Sequence, residues 1–206
     1  MIHSQGVCRL CVAALGLVIL LLTGPSALAQ TAEFDACLEF ERKACDQVLV
    51  AEPDNLTALF MRGLAAELEG DHQAALQDFD ATAVREPRHF GAQLWRHVAA
   101  ASLGQNDADK LVTYLDAAKS LGPWPRALAE LYLGKITAEE AIGLAGGQQG
   151  SAASEALCAA HYHAGRAAHL AGKTDEAMAH FRAALATGAS HVFEYQAAGR
   201  ALNGAL

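Results

Sequence analysis

Basic residues are scarce in this chain of 206 amino acids, where 15 lysines and arginines stand against 23 aspartates and glutamates. The formal net charge is −8, and loss of residues 1–29, whose only charged side chain is Arg9, would make it −9. No basic stripe offsets this excess of acid. Nucleic acids and anionic lipids are both bound through clustered cations. The sequence therefore excludes nucleic acid and anionic membrane surfaces as expected partners.

Sequence signatures of catalysis are also missing. The chain has no His-Glu-x-x-His motif, no pair of Cys-x-x-Cys motifs and no phosphate-binding glycine loop. His161 and His163 are two residues apart, so on a helix they point to different faces and do not chelate one metal together. Cys158 and His161 would suit a nucleophile and its base, but no third group that orients the histidine is evident. We expect no cofactor, no metal and no enzymatic activity, with a Cys158/His161 hydrolase as the less favoured alternative.

The longest apolar run is too short to cross a bilayer. It covers thirteen residues, Leu10–Leu22, against the roughly 20 that a membrane-spanning helix needs. Arg9 precedes this run and Ala27-Leu28-Ala29 follows it, which is the order of regions in a secretory signal peptide. We expect a signal peptide over residues 1–29, cleaved between Ala29 and Gln30, and a periplasmic or secreted protein. The alternative is an uncleaved anchor; no lipid-anchoring cysteine ends the run, so a stable membrane anchor is not expected.

Three cysteines would remain after cleavage, namely Cys37, Cys45 and Cys158. In one continuous helix the Cα atoms of Cys37 and Cys45 would be about 12 Å apart, whereas a disulfide needs less than about 7 Å. A bond between them therefore requires a turn, which we place near residues 41–43. Cys45 lies 34 residues before Phe79, which favours its place on a second helix after such a turn. Export would let this possible disulfide persist and staple the N-terminal end of the fold.

What the sequence does contain is a repeated pattern of small residues, one aromatic residue and a terminal proline. Residues 56–87 have the pattern of two amphipathic helices joined at Gly70 and ended by Pro87. Pro53 to Pro87 spans 34 residues, and Gly70 to Gly104 spans the same interval. Four pairs recur at 102 residues, three times that interval: Gly63 and Gly165, Gly70 and Gly172, Ala75 and Ala177, and Phe79 and Phe181. Such a period indicates a repeat architecture.

A 34-residue helix-turn-helix unit of this kind resembles the tetratricopeptide repeat (TPR). The resemblance implies an all-α solenoid of antiparallel helix pairs over residues 30–206, and no stretch shows the alternation of a strand. Its parts would be repeats at about 37–53 (partial), 56–87, 90–123 and 158–189, an irregular segment at 123–153 and a capping helix at 192–202. The repeat at 90–123 is degenerate, because Thr113 stands where Phe79 stands in the first complete repeat.

A closer resemblance covers roughly residues 56–202, and most closely 123–202. The motifs that carry it are Trp124-Pro125, LYLGKITAEE and HYHAGRAAHLAGKTDEAMAHFRAALATGASHVFEYQAAGRAL. These are similar to the C-terminal half of the periplasmic TPR lipoproteins of the new-lipoprotein-I type. The resemblance implies an exported, all-helical adaptor, often dimeric, that holds cell-wall hydrolases and a protease together. The missing lipobox cysteine departs from that family.

The first helix of each repeat lines the concave face of a TPR superhelix. Counting from the repeat starts predicts a partner-binding groove lined by eight residues: Phe60, Leu64, Glu67, Leu94, Val98, Tyr162, Arg166 and His169. Arg166 would pair with a carboxylate of the partner; in the alternative, Arg166 forms an internal salt bridge and Tyr162 packs in the core. Five histidines between residues 161 and 191 suggest a pH response as a further alternative.

The sequence thus predicts an exported TPR scaffold that binds other cell-envelope proteins through its groove. Cell-wall hydrolases or a protease are the partners that the resemblance implies. A structural homo-oligomer subunit, for example a homodimer, is the main alternative, and the Cys158/His161 hydrolase ranks below it.

Overall fold

The computed structural model describes residues 27–204 of the chain. Over that range the backbone forms eleven α-helices and no strand, which confirms the predicted all-α fold. The helices are α1 Ala27–Leu38, α2 Arg42–Ala51, α3 Leu56–Leu68, α4 His72–Arg85, α5 Phe90–Ser102, α6 Ala108–Ala117, α7 Pro123–Tyr132, α8 Ala138–Gly146, α9 Ser151–Leu170, α10 Thr174–Ala186 and α11 Phe193–Leu202. Within this range no helix is long and apolar enough to span a membrane. Residues 1–26 of the predicted signal peptide lie outside the described residues.

Helix starts follow the capping signals in the sequence. The Asn55 side chain accepts a hydrogen bond from the Ala58 amide, and Asp71 accepts one from Ala74. Thr137 and Glu140 form a reciprocal capping box at the start of α8. These side chains satisfy backbone donors that have no partner within the helix. These cap residues therefore mark where α3, α4 and α8 begin.

The recurring glycine and phenylalanine of the 102-residue frame mark where two helix pairs cross. A Cβ atom at Gly63 would lie 2.6 Å from Cε1 of Phe79, and one at Gly165 would lie 2.6 Å from Cε1 of Phe181. Both phenylalanines are fully buried. α3 and α4, like α9 and α10, therefore approach each other over a bare glycine backbone that an aromatic ring covers. This shared contact is the physical reason for the repeated spacing.

The segment between residues 123 and 153 contains the two short helices that its sequence indicates, one at about Arg126–Leu133 and one that opens with the capping box at Thr137–Glu140. It contains α7 and α8, which pack against each other, and the loop that follows covers only residues 147–150 before α9 begins at Ser151. Helix α7 begins at Pro123, three residues earlier than expected, because prolines fit the first turn of a helix, where no intrahelical partner for the N–H is needed. The two predicted helices of this segment are therefore confirmed, and together they form a further helix pair.

The C-terminal helix returns to the N-terminal half of the fold. We expected it to cover an open end, but α11 packs against α3 and α9 as well as α10. The Phe193 ring lies 5.0 Å from Trp95 on α5 and 5.2 Å from Phe40, measured between ring centroids. Arg200 donates a hydrogen bond of 3.0 Å to the Leu68 carbonyl. These contacts place α11 across the face that α3 and α5 present.

The structure joins Cys37 and Cys45 in a disulfide with a Cα–Cα separation of 4.6 Å. The turn that permits it covers residues 39–41, slightly before the expected position, so α2 begins at Arg42. Phe40 adopts a left-handed backbone conformation in this turn, with φ of 64°. Its ring packs edge-on against Phe193, so the turn is also tied to the C-terminal helix.

Replacing both Cys37 and Cys45 by alanine is expected to lower the free energy of unfolding by about 2–3 kcal/mol, because a short covalent loop no longer restricts the unfolded chain. Urea denaturation of oxidised wild type and of the variant would measure the difference. Reduced wild type serves as the control and should match the variant, since the remaining described cysteine, Cys158, is unbonded and buried. Equal midpoints for oxidised and reduced wild type would show that the disulfide does not stabilise the fold.

Candidate functional site

The predicted groove residues do not line an open surface in this structure. Leu64, Leu94, Val98, Tyr162 and Arg166 are all buried. The Glu67 side chain is only 2% exposed, and Phe60 and His169 are half-buried. The reason is that side chains of α9 and α11 pack onto the face formed by α3 and α5. Leu64, Val98 and Tyr162 share one hydrophobic cluster, whereas Leu94 belongs to another, with Leu111 and Leu128.

Arg166 is paired inside the fold, which is the alternative that the sequence left open. Its Nη2 atom lies 3.4 Å from Oε2 of Glu67 and donates a 2.7 Å hydrogen bond to the Ser102 hydroxyl. Glu67 also contacts Nδ1 of His72 at 3.1 Å. Burial, with the charges of Arg166 and His72, lowers the pKa of His169 and so favours its neutral form. This cluster joins α3, α5 and α9 and offers no free cation to a partner.

A second buried polar contact joins α7 to α9. The hydroxyl of Tyr132 and Nδ1 of His163 are 2.8 Å apart, and His163 is fully buried. Burial raises the pKa of Tyr132 well above its usual value, so the phenol stays protonated. On α11, Glu194 lies 3.8 Å from Nε2 of His163. Neither aromatic residue was singled out for this contact from sequence, because the two are 31 positions apart.

The geometry gives no support to a Cys158/His161 nucleophile and base. Cys158 is fully buried, and burial raises the pKa of its thiol to about 11, so little thiolate forms near neutral pH. The ring of His161 faces His180 on α10, with 3.4 Å between their Nδ1 atoms. Burial and the neighbouring imidazole lower the pKa of His161. Cys158 is therefore a packed core residue in this arrangement.

The middle helix pair departs from the frame at both of its key positions. His97 stands where Gly63 and Gly165 stand in their pairs, and Thr113 stands where the phenylalanines stand. The imidazole of His97 is buried at the crossing point and lies 2.6 Å from a carboxylate oxygen of Asp107. Thr113 is exposed and binds only the Asp109 carbonyl. No aromatic ring can therefore close α6 onto α5 as in the other two pairs.

Buried charged side chains lie between α5 and α6, where the repeat pattern is lost. Burial opposes ionisation of Asp107, but the hydrogen bond from His97 and the charges of His97 and Arg96 together lower its pKa. The Nε atom of Arg96 is 3.5 Å from Asp107. A buried polar pair, His97 and Asp107, thus stands beside the leucine cluster of Leu94, Leu111 and Leu115 that packs α6 onto α5.

Two clefts flank α6 and share Tyr114 and Ala117 in their walls. The first, of about 450 Å³, has mixed charge, because Arg96 and Lys110 lie beside Asp109. The second is larger, about 630 Å³, and we call it the basic cleft. Its principal lining residues are Arg88, Phe90, Tyr114, Lys119, Leu121 and Gly122.

The basic cleft combines cations with aromatic surface. Arg88 and Lys119 are exposed at its walls, and none of its lining residues is acidic, in a chain whose net charge is −8. The Phe90 and Tyr114 rings are 6.2 Å apart, and the Tyr114 hydroxyl donates to the Arg88 carbonyl at 3.3 Å. Carboxylates are the groups that such a wall attracts, and the rings add apolar contact.

Arg126 extends the positive charge to the end of α6. Its guanidinium donates hydrogen bonds to the carbonyls of Leu115 and Ala118, at 3.0 and 2.9 Å. These carbonyls belong to the last turn of α6, where helices accept cations favourably. The otherwise negative end of the helix is therefore neutralised beside the cleft.

No protein-family model and no curated protein matches the sequence. Its function is therefore inferred from the buried groups and the clefts themselves. Thr113 was the sequence signal closest to the basic cleft, since it marks the broken frame. The residues that line the cleft fall outside the concave positions, so counting along the repeat did not select them.

Proposed function

We propose that the protein is an exported scaffold of the TPR type that binds another cell-envelope protein through the basic cleft beside α6. The observation that carries the proposal is the lining of this cleft, which combines two exposed cations with two aromatic rings and contains no acidic residue, on a protein whose net charge is −8. The cleft lies beside the middle helix pair, in which His97 and Thr113 replace the glycine and phenylalanine of the other two pairs. The partner segment that fits is extended, carries carboxylates and places an apolar side chain against Phe90 and Tyr114.

Three features support the proposed repeat scaffold, its export, and the choice of the basic cleft over the predicted groove. The repeated contact of Gly63 with Phe79 and of Gly165 with Phe181 supports a repeat scaffold. The N-terminal sequence pattern and the Cys37–Cys45 disulfide support export to an oxidising compartment. The concave face, being filled by α9 and α11, is a poor candidate for the binding surface. Cell-wall hydrolases and a protease stay the partner classes to test first.

Reversing both charges of the basic cleft, with Arg88→Glu and Lys119→Glu together, is expected to weaken partner binding at least tenfold, or about 1.4 kcal/mol. The loss should shrink as salt is added, because exposed charge pairs are screened. Covalent crosslinking in producing cells would identify the partner, and calorimetry with the purified partner would measure the affinity.

The matched control reverses two exposed cations away from the cleft, with Lys135→Glu and Arg182→Glu. Neither side chain forms an ion pair within residues 27–204, so the control changes net charge by the same amount without disturbing a contact. Equal weakening of partner binding in both variants would show that net charge alone causes the effect, and this would contradict the proposed site. If the crosslinked partner is a second copy of this chain, the homo-oligomer replaces the adaptor as the function.

A further inference from the structure

Two histidines from consecutive helices face each other on the C-terminal pair. His161 on α9 and His180 on α10 are both half-buried, and their Nδ1 atoms are 3.4 Å apart. The ring centroids are 5.6 Å apart, with 37° between the ring planes. The close crossing at Gly165 and Phe181 holds the two helices, and therefore the two imidazoles, at this separation.

The nitrogen–nitrogen distance suits a shared metal ion better than it suits a hydrogen bond. Imidazole nitrogens bind Zn²⁺ at about 2.0–2.1 Å, and two such ligands at a tetrahedral angle lie about 3.3–3.4 Å apart. Hydrogen bonds from ring nitrogens are normally shorter than about 3.2 Å. Among the described residues, neither ring has another hydrogen-bond partner. The lone pairs of the two Nδ1 atoms are therefore available to bind a metal ion.

Two of the other three histidines between residues 161 and 191 have side-chain partners: His163 contacts Tyr132, and His191 lies 3.2 Å from Glu155. The third, His169, lies near Arg166 and His72, and burial together with their charges lowers its pKa. His161 therefore pairs with a residue of the next helix, and not with His163, the neighbour considered from sequence. This leaves His161 and His180 as a separate pair outside both the buried cluster and the basic cleft.

We propose that His161 and His180 together bind a divalent transition-metal cation, Cu²⁺ more tightly than Zn²⁺. Imidazole nitrogen suits both ions, and at a given nitrogen site Cu²⁺ binds more strongly. Within residues 27–204 no third histidine, cysteine, aspartate or glutamate completes a set of three. The remaining coordination positions are filled by water or by an exogenous ligand. The site is thus an open, two-ligand site.

The test uses the full chain with His3→Gln, Cys8→Ser and Cys11→Ser in every sample, so that neither the N-terminal Met-Ile-His sequence nor these thiols compete for metal. Thermal unfolding is followed with and without Cu²⁺ for the parent, for His161→Gln, for His180→Gln and for the control His191→Gln. An ion that binds only the folded chain, at one hundred times its dissociation constant, should raise Tm by roughly 5–10 °C. The parent and the control should show this rise, and each of the other two variants should lose it.

Electron paramagnetic resonance of bound Cu²⁺ supplies a readout that does not depend on stability. The parent should show coupling to two imidazole nitrogens, and each single variant should show the loss of one or of all binding. The proposal is overturned if the parent shows no rise in Tm. A rise that survives the loss of either His161 or His180 overturns it as well, because the metal then binds elsewhere.

Discussion

Replacing Phe181 by alanine is expected to lower the free energy of unfolding by about 3–5 kcal/mol, the range for large aromatic residues removed from a core. Phe181 is fully buried and covers the bare backbone of Gly165, so its loss leaves a cavity where α9 and α10 cross. The tight helix crossing gives the surrounding backbone little room to collapse into that cavity. Urea denaturation monitored by circular dichroism would measure the change.

The matched control is Thr113→Ala, at the same position of the 34-residue frame in the middle pair. Thr113 is exposed and bonds only to the carbonyl of its own helix, so its replacement should change the free energy of unfolding by less than about 0.5 kcal/mol. Phe79→Ala should behave like Phe181→Ala. A similarly small loss of stability at all three positions would contradict this account of the repeat. The buried phenylalanines would then stabilise their helix pairs no more than the exposed Thr113 stabilises the middle pair.

Replacing Arg166 by alanine is expected to lower the free energy of unfolding by about 3–5 kcal/mol, because the buried carboxylate of Glu67 loses its arginine and keeps only the contact with His72. Both side chains are almost completely inaccessible, at 3% and 2% exposure. Ser102 would lose its hydrogen bond from the guanidinium at the same time. The measurement is again urea denaturation, with Arg182→Ala as the exposed arginine that should cost little.

A double variant, Glu67→Gln with Arg166→Met, separates burial of an unpaired charge from loss of packing. Removing both charges should recover much of the stability that Arg166→Ala loses, since a buried ion pair gains little over uncharged groups of similar volume. If Arg166→Ala costs no more than Arg182→Ala, the closure of α9 onto α3 does not depend on this cluster. The packing of α9 and α11 onto α3 and α5 would then depend mainly on the contacts of Phe193.

The sequence predicted the local parts of the fold well, because local signals determine them. The frame of Gly63, Phe79, Gly165 and Phe181 identified both closed helix pairs, since a close crossing needs a glycine on one helix and a ring on the other. The disulfide between Cys37 and Cys45 was a possibility that required a turn between them, and the structure has both the bond and the turn, at residues 39–41. The two helices at residues 123–146 were also indicated by local signals, the prolines at the start of α7 and the capping box of Thr137 and Glu140 at the start of α8.

The repeat pattern did not predict that α9 and α11 cover the inward-facing side chains of α3 and α5. Counting along the repeat predicts which side chains point inward, but not what covers them. Glu67 and Arg166 meet across 99 positions of sequence, and Arg200 reaches the Leu68 carbonyl across 132. Such contacts join helices that are far apart in the sequence, and no local pattern specifies them.

Photo-crosslinking in producing cells from two aromatic positions tests the central claim most directly. p-Benzoylphenylalanine would replace either Tyr114, in the basic cleft, or Phe60, a half-buried residue of the predicted concave groove. The two sites are matched in side-chain size and partial exposure. We expect a discrete crosslinked partner from position 114 and none from position 60. A partner crosslinked from position 60 and absent from position 114 would show that the concave face opens to bind and would contradict the proposed site.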